Sequence, residues 1–240
     1  ALQVTRFSPA FTDLPAGFDG CRIVVLSDLH GAGFGRHHQD LFDKVAAEQP
    51  EYIFFLGDLE DKYRGPEDGY AAEIARGLSA IAPTYYVTGN HEWAIGEVPK
   101  LKEILAANGV TVLSNQFVTL ERNGDAIVLA GIDDPNGYAD QKTPEELAAE
   151  VYAAHGDPFW ILLAHRNNRF ASQYSLLGAD PTGASSACRL RTGWCPTTWI
   201  CSPPTPPGCT RKTALCCSSP GDWGTPVPPS GCSTGRRWRW

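Results

Sequence analysis

The chain has 240 residues, 42% of them hydrophobic and 20% charged, a formal net charge of −7 and no methionine. That length suits one larger domain or two small ones with a real core, and the acidic balance argues against nonspecific nucleic-acid binding as the main business of the chain. No apolar run reaches the roughly eighteen residues of a membrane-spanning helix, and no secretory signal is visible.

Charge and cysteine divide unevenly. Residues 1–180 hold 26 acidic and 13 basic side chains, whereas residues 181–240 hold Asp222 and seven bases. Cys21 lies in the first part and the other seven cysteines follow residue 187. The start at Ala1 without any methionine leads us to expect a trimmed N-terminus.

In chain order, residues 1–20 are irregular, with Val4–Phe7 as a candidate edge strand. The first core strand is expected at 22–26, where an apolar run ends in Ser27-Asp28-Leu29-His30. A glycine-punctuated loop, 31–35, follows. It is not a dinucleotide fingerprint, because it does not open directly from a strand. His37 and His38 begin a helix over about 38–49 as solvent-facing residues, with Leu41, Phe42, Val45 and Ala46 at helical spacing. A second apolar run, 52–56, ends in Gly57-Asp58. The polar loop Leu59-Glu60-Asp61-Lys62-Tyr63-Arg64 after it reads equally as a solvated charge run or a substrate contact. A helix over 68–81 ends at Pro83.

A third run, 84–88, ends in Gly89-Asn90-His91-Glu92. Glycine permits a sharp turn after the strand, Asn offers a neutral oxygen ligand, and His offers a ligating nitrogen or a proton. A capped polar turn explains the isolated tetrapeptide just as well. A helix over 97–108 closes at Asn108-Gly109. Strands at 110–113, 117–121 and 126–132 follow, the last two joined by an Asn-Gly hairpin signal, so pairing changes from parallel to antiparallel. Asp133 and Asp134 then stand as either a substrate-side loop or an Asx turn. Thr143-Pro144-Glu145-Glu146 has the features of a helix start, and His155 those of a cationic C-terminal cap. A fourth apolar run, 159–164, ends in His165, then Arg166 and Asn167.

Each of these four runs is the kind of short continuous apolar segment buried on both faces of a sheet. Each places a metal-capable residue just past the strand's carboxyl end, where open α/β sheets build their sites. The set Asp28-x-His30, Gly57-Asp58, Gly89-Asn90-His91-Glu92 and His165 resembles the calcineurin-like metallophosphoesterase signature. More narrowly, it is similar to the bacterial cell-envelope phosphodiesterases of the YkuE and YaeI type. The resemblance covers roughly residues 20 to 180.

The resemblance implies an α/β/β/α sandwich of mixed sheets and a metal-dependent phosphodiesterase using two divalent metal ions, Mn, Fe or Zn. It implies that Asp58 bridges the ions, that Asp28 and His30 belong to the first, and that Asn90 and His165 belong to the second. His91 would be the general acid and Arg166 and Asn167 would meet the substrate phosphate. It also implies a membrane-anchoring segment upstream of Ala1, a bacterial membrane or envelope location and a monomer. Lipid-linked phosphoesters, cyclic nucleotides and nucleic-acid ends all stay open as substrates, and the acidic surface disfavours the last.

The family's final Gly-His-x-His is absent: the six histidines are 30, 37, 38, 91, 155 and 165. Residues 181–240 hold ten of the nineteen prolines and five of the seven tryptophans, with no strand or helix period. A disulfide module is disfavoured by an odd cysteine count. A zinc module lacks both Cys-x-x-Cys and histidine. A tail read out of frame fits best, because shifted GC-rich coding sequence gives this composition. With codons chosen freely, a one-nucleotide shift of Arg191–Ser218 can give a sequence that reads as a loop, a strand-like segment, a Lys-Asp-Gly turn and another strand. The expected domains are therefore 1–180, an incomplete metallophosphoesterase domain whose last strands are missing or replaced, and 181–240, a disordered tail. Two rival readings are a non-catalytic product of a damaged gene and a degenerate enzyme with a Cys-rich binding tail.

Overall fold

The computed structural model describes residues 2–11, 13–63, 69–137, 141–169, 172–174 and 177, with Thr198–Ser202 and Arg236–Arg237 beyond them. Strands β2 (Ile23–Leu26), β3 (Tyr52–Phe55), β4 (Thr84–Tyr86) and β5 (Val110–Val112) form a four-stranded parallel sheet in that order. Strands β6 (Gln116–Arg122), β7 (Asp125–Gly131), β8 (Trp160–Ala164) and β9 (Thr198–Ser202) form a second, mixed sheet. β6 pairs antiparallel with β7, β7 parallel with β8, and β8 antiparallel with β9.

The two-residue alternation of the strands builds the layers. From the β3 region, Phe54 and Leu56 join Ile23 and Val87 against Leu120, Ile127, Leu129, Ile161 and Leu163 of the second sheet. The alternate residues Ile53 and Phe55 face the helices α1 (Gln39–Ala47), α2 (Tyr70–Ser79) and α4 (Val98–Ala107), packing with Leu41, Val45, Ile74, Leu78, Leu101 and Leu105. On the outer face of the second sheet, Val128, Ala130, Trp160 and Leu162 pack with Leu147, Ala148 and Val151 of α5 (Pro144–His155). The order is helices, sheet, sheet, helix. With both sheets covered on both faces, the strands had to be continuously apolar.

The helix start at Thr143 forms as its residues dictate. The Thr143 hydroxyl accepts the Glu146 N–H at 3.2 Å, and Glu146 in return accepts the Thr143 N–H at 2.8 Å, with Pro144 in the first turn. The hairpin of β6 and β7 turns at Asn123 and Gly124, both at positive φ, and keeps register from Arg122↔Asp125 to Gln116↔Gly131.

Two expectations are corrected. Val4–Phe7 is not a strand; β1 is Ala10–Phe11, antiparallel to β10 (Arg236–Arg237). Gly89-Asn90-His91-Glu92 does not only end a strand: Asn90 opens a further helix, α3 (Asn90–Ile95). The expected change from parallel to antiparallel pairing occurs at β6 and β7, in the second sheet of the sandwich. Within residues 181–240, Thr198–Ser202 and Arg236–Arg237 form the strands β9 and β10. β9 completes the second sheet from Trp160↔Ser202 to Ala164↔Thr198. The rest of that stretch, including Arg191–Pro196 and Ser218, lies outside the described residues. Among the described residues, no helix is long and apolar enough to cross a membrane.

Candidate metal centre

Beyond the carboxyl ends of β2, β3 and β4 the ladder continues into the loops. Asp28 N–H donates to Gly57 O at 3.1 Å, His30 N–H to Asp58 O at 3.0 Å, and Gly31 N–H to Leu59 O at 2.9 Å. This zipper holds the Asp28–His30 loop against the Gly57–Asp58 turn. Asp28, His30 and Asp58 all take left-handed backbone, with φ of 57°, 48° and 52°. Such conformations cost about 1 kcal/mol or more each for non-glycine residues. Three of them side by side concentrate strain where side chains are being aimed.

Asp58 is the centre, its side chain only 4% exposed. Its Oδ1 accepts the His91 N–H at 3.0 Å. Three imidazole Nε2 atoms surround its Oδ2: His165 at 3.6 Å, His30 at 3.9 Å and His91 at 3.9 Å. His30 Nε2 is also 3.7 Å from Asp28 Oδ1, and Ser27 Oγ donates to the other Asp28 oxygen. Asn90 Oδ1 lies 3.3 Å from His165 Nε2. Two sets of ligating atoms fall within 4.8 Å of one another: His30, Asp58 and His91, and Asp28, Asp58 and His165. Asp58 is common to both. The sets cut across the expected pairing of Asp28 with His30.

Hydrogen-bond partners separate the histidines by role. His165 Nδ1 is 2.7 Å from Leu56 O, and a carbonyl only accepts, so Nδ1 carries the proton and the Nε2 lone pair faces Asn90 Oδ1 and Asp58 Oδ2. Two acceptor oxygens then face that lone pair, an arrangement a cation relieves. His91 is the opposite case. Its Nδ1 accepts the Lys62 N–H at 3.3 Å, so in the neutral ring the proton sits on Nε2, on the Asp58 side. The donor set of two carboxylates, the His30 and His165 imidazoles and one amide oxygen suits a borderline divalent cation.

Glu92 holds this arrangement from behind. Its carboxylate, 1% exposed, accepts four backbone N–H groups: Asp58 at 3.0 Å, Leu59 at 2.8 Å, Glu60 at 3.2 Å and Gly89 at 2.6 Å. The turn after β3 is thereby clamped to the turn after β4. Burial, then the nearby Asp58 charge, raises the Glu92 pKa, and the backbone N–H donors oppose that rise. Sequence reasoning treated Glu92 as part of a motif without giving it a task. The available signal was its position three residues after a helix-opening glycine, the capping-box spacing.

Arg166 sits beside the cluster, tethered to buried Asp134: Nε to Oδ2 at 2.5 Å and Nη2 to Oδ1 at 3.0 Å. That pairing raises the guanidinium pKa. Asp134 Oδ1 also accepts the Asn136 N–H at 2.9 Å, so the loop is an Asx turn that additionally positions Arg166. Asn167 opens a short 3-10 turn after it, Asn167–Arg169. Asp133 is buried in a separate network, pairing with Lys102 Nζ at 2.6 Å and accepting from Thr88 Oγ1 at 2.7 Å. His37 and His38 lie away from the cluster, with His37 Nδ1 2.9 Å and His38 Nε2 3.8 Å from the Glu73 carboxylate. His38 is not solvent-facing as its sequence context suggested: it packs edge-on to Tyr70, with ring centroids 5.0 Å apart.

Comparison with known proteins gives the same direction. The family model described as calcineurin-like phosphoesterase matches residues 21–189. A Danio rerio transmembrane protein with metallophosphoesterase domain is 33% identical over 135 residues, covering 50% of this chain and 29% of its own length. The Bos taurus protein of the same name is 33% identical over 163 residues, covering 64% of this chain and 36% of its own. The uncharacterized metallophosphoesterase YkuE of Bacillus subtilis (strain 168) is 29% identical over 137 residues, covering 55% and 48%. The match thus spans about a third of the two vertebrate relatives.

Proposed function

The chain belongs to the calcineurin-like phosphoesterase family, and on that premise we propose that it is a dinuclear-metal-dependent phosphodiesterase built around Asp58. The observation that carries this reading is that two acceptor oxygens, Asn90 Oδ1 at 3.3 Å and Asp58 Oδ2 at 3.6 Å, lie against the His165 Nε2 lone pair. In the proposed assignment Asp58 would be shared between two cations, Asp28 and His30 would hold one, and Asn90 and His165 would hold the other. Imidazole ligands favour Mn, Fe or Zn over Ca. Two such cations, when bound, neutralise phosphate charge and supply a nucleophilic hydroxide at neutral pH.

The chain's own residues do the rest. His91 donates its Nε2 proton to the leaving oxygen, and the Lys62 N–H on Nδ1 keeps the ring in that tautomer. Arg166, held in place by Asp134, and Asn167 receive the phosphoryl oxygens. The atoms of the cluster recognise the phosphoester itself, which lipid-linked esters, cyclic nucleotides and nucleic-acid ends share.

Activity is proposed to be reduced rather than full. No histidine follows His165, so each cation lacks the ligand that Gly-His-x-His supplies in relatives of the expected type. We attribute the loss to a shifted reading frame after about residue 180; an encoding DNA with no insertion or deletion relative to close relatives contradicts that attribution. The names of the two vertebrate relatives support a membrane setting. We place the protein at a bacterial membrane or cell envelope, as a monomer, and recovery of the full-length protein entirely in the soluble fraction argues against it.

The test is manganese-dependent hydrolysis of bis-p-nitrophenyl phosphate. The expected result is a metal-dependent rate that falls about a hundredfold or more in Asp58→Asn. Equal rates in the two proteins, or none in the wild type, overturn the proposal.

A further inference from the structure

The buried network around Asp133 stands apart from the metal cluster, yet one hydroxyl joins it to the arginine beside that cluster. Thr88 is 0% exposed and directly precedes Gly89-Asn90-His91. Its Oγ1 lies 2.7 Å from Asp133 Oδ1, and the carboxylate only accepts, so the hydroxyl proton is committed there. Both lone pairs are left to accept. One takes the Asp134 N–H at 3.1 Å and the other the Trp93 Nε1–H at 2.9 Å. Asp133 is fixed in turn, its Oδ2 accepting from Lys102 Nζ at 2.6 Å and its N–H donating to Asn115 Oδ1 at 2.9 Å. Asp134 then grips Arg166 through both carboxylate oxygens. Arg166 directly follows His165 in the chain, and its side chain keeps 28% exposure. Its pKa is raised first by the Asp134 hydrogen bonds and further by the charges of Asp134 and Asp58, so the guanidinium lies within electrical reach of the Asp58 cluster.

Resting on the phosphodiesterase reading, we propose that Thr88 is a positioning residue, which sets Arg166 against the substrate phosphate by fixing the backbone from which Asp134 holds it. Every link is a hydrogen bond: Thr88 hydroxyl to Asp134 N–H, then Asp134 carboxylate to guanidinium. An arginine held in place before the phosphate arrives loses less side-chain freedom on binding it, and preorganisation of that kind tightens binding. The same hydroxyl joins the turn that carries Asn90 to the turn that carries Asp134, so the spacing of ligand and arginine is set at one buried point. Valine matches the shape of threonine but removes the three hydrogen bonds of the hydroxyl. Serine keeps the hydroxyl and drops only a methyl group.

The test is a double-mutant cycle read by binding. Inorganic phosphate is titrated calorimetrically into the full chain with Mn2+, as wild type, Thr88→Val, Arg166→Ala and the double variant, with Thr88→Ser and Thr88→Ala beside them. Thr88→Val and Arg166→Ala are each expected to weaken phosphate binding about tenfold. The double variant is expected to be no weaker than Arg166→Ala, because the hydroxyl acts through the guanidinium. Thr88→Ser binds phosphate as the wild type does, and every variant keeps the wild-type number of bound Mn2+ ions. A general structural loss would instead add to that of Arg166→Ala or lower the Mn2+ count. Losses that add, a lowered Mn2+ count in Thr88→Val, or wild-type phosphate binding in Thr88→Val or in Arg166→Ala overturn the proposal. So does a Thr88→Ser chain as weak as Thr88→Val. If neither Thr88→Val nor Thr88→Ala folds while Thr88→Ser does, the hydroxyl serves folding and the proposal is likewise overturned. If bis-p-nitrophenyl phosphate is hydrolysed with Mn2+ while the cycle shows no coupling, the positioning role alone falls. If no Mn2+ binds and nothing is hydrolysed, both readings fall.

Discussion

Gly57→Ala is expected to lower stability by roughly 2–5 kcal/mol and to abolish metal-dependent activity. Two effects add. Gly57 sits at φ +83°, where an L side chain is strained, at about 1–2 kcal/mol. A Cβ there would also fall onto the Gly89 backbone nitrogen and within 2.6 Å of Gly89 Cα. Backbone cannot rotate away as a flexible side chain can, so the turns after β3 and β4 must separate. Those turns carry Asp58 and Asn90, and their separation pulls the Asp58 carboxylate away from Asn90 and His91 on α3. A thermal melt checks the stability term, with a fall of roughly 5–15 °C expected for a domain of this size. Unchanged melting together with unchanged activity would show that the two turns have slack that their close approach denies.

Glu92→Gln is expected to destabilise the chain by about 2–4 kcal/mol despite being nearly isosteric. Both carboxylate oxygens are used, Oε2 by the Asp58 and Gly89 N–H groups and Oε1 by those of Leu59 and Glu60. In either flip, a glutamine NH2 faces two backbone donors inside a buried pocket. The opposing effect is real: a neutral side chain escapes the burial cost and, after it, the Asp58 repulsion, which together raise the Glu92 pKa. The hydrogen-bond term wins, because two charge-assisted bonds are lost and two buried donors are orphaned, while the repulsion relieved comes from a single neighbouring carboxylate. Urea denaturation of the two proteins decides it. A Glu92→Gln chain as stable as the wild type would mean that the charge repulsion is the larger quantity and that Glu92 is not the clamp.

Much of this was legible in the sequence, for a definite reason. A parallel sheet covered on both faces demands continuous apolar strands, and Ile23–Leu26, Tyr52–Phe55 and Trp160–Ala164 stand out as such. Because sites of this architecture gather at strand ends, the residues immediately after those runs could be nominated before any coordinates. The Thr143 cap and the Asn123-Gly124 turn are local chemistry and were equally legible. What stayed hidden depends on contacts distant in sequence. The four N–H groups on Glu92 come from three residues about thirty positions upstream and from Gly89. The Arg166–Asp134 pair spans 32 residues. The burial of His38 against Tyr70 arises only when α1 and α2 pack. The short strands β9 and β10 have no apolar period of their own to announce them and exist by pairing with β8 and β1.

The most direct measurement of the central claim is the number of Mn2+ ions bound per chain, titrated calorimetrically in the wild type and in His165→Ala. The account predicts two ions in the wild type and one in His165→Ala, because the Nε2 lone pair directed by the Leu56 carbonyl is lost while Asp28, His30 and Asp58 remain. No Mn2+ bound by the wild type, or a count that His165→Ala leaves unchanged, contradicts it.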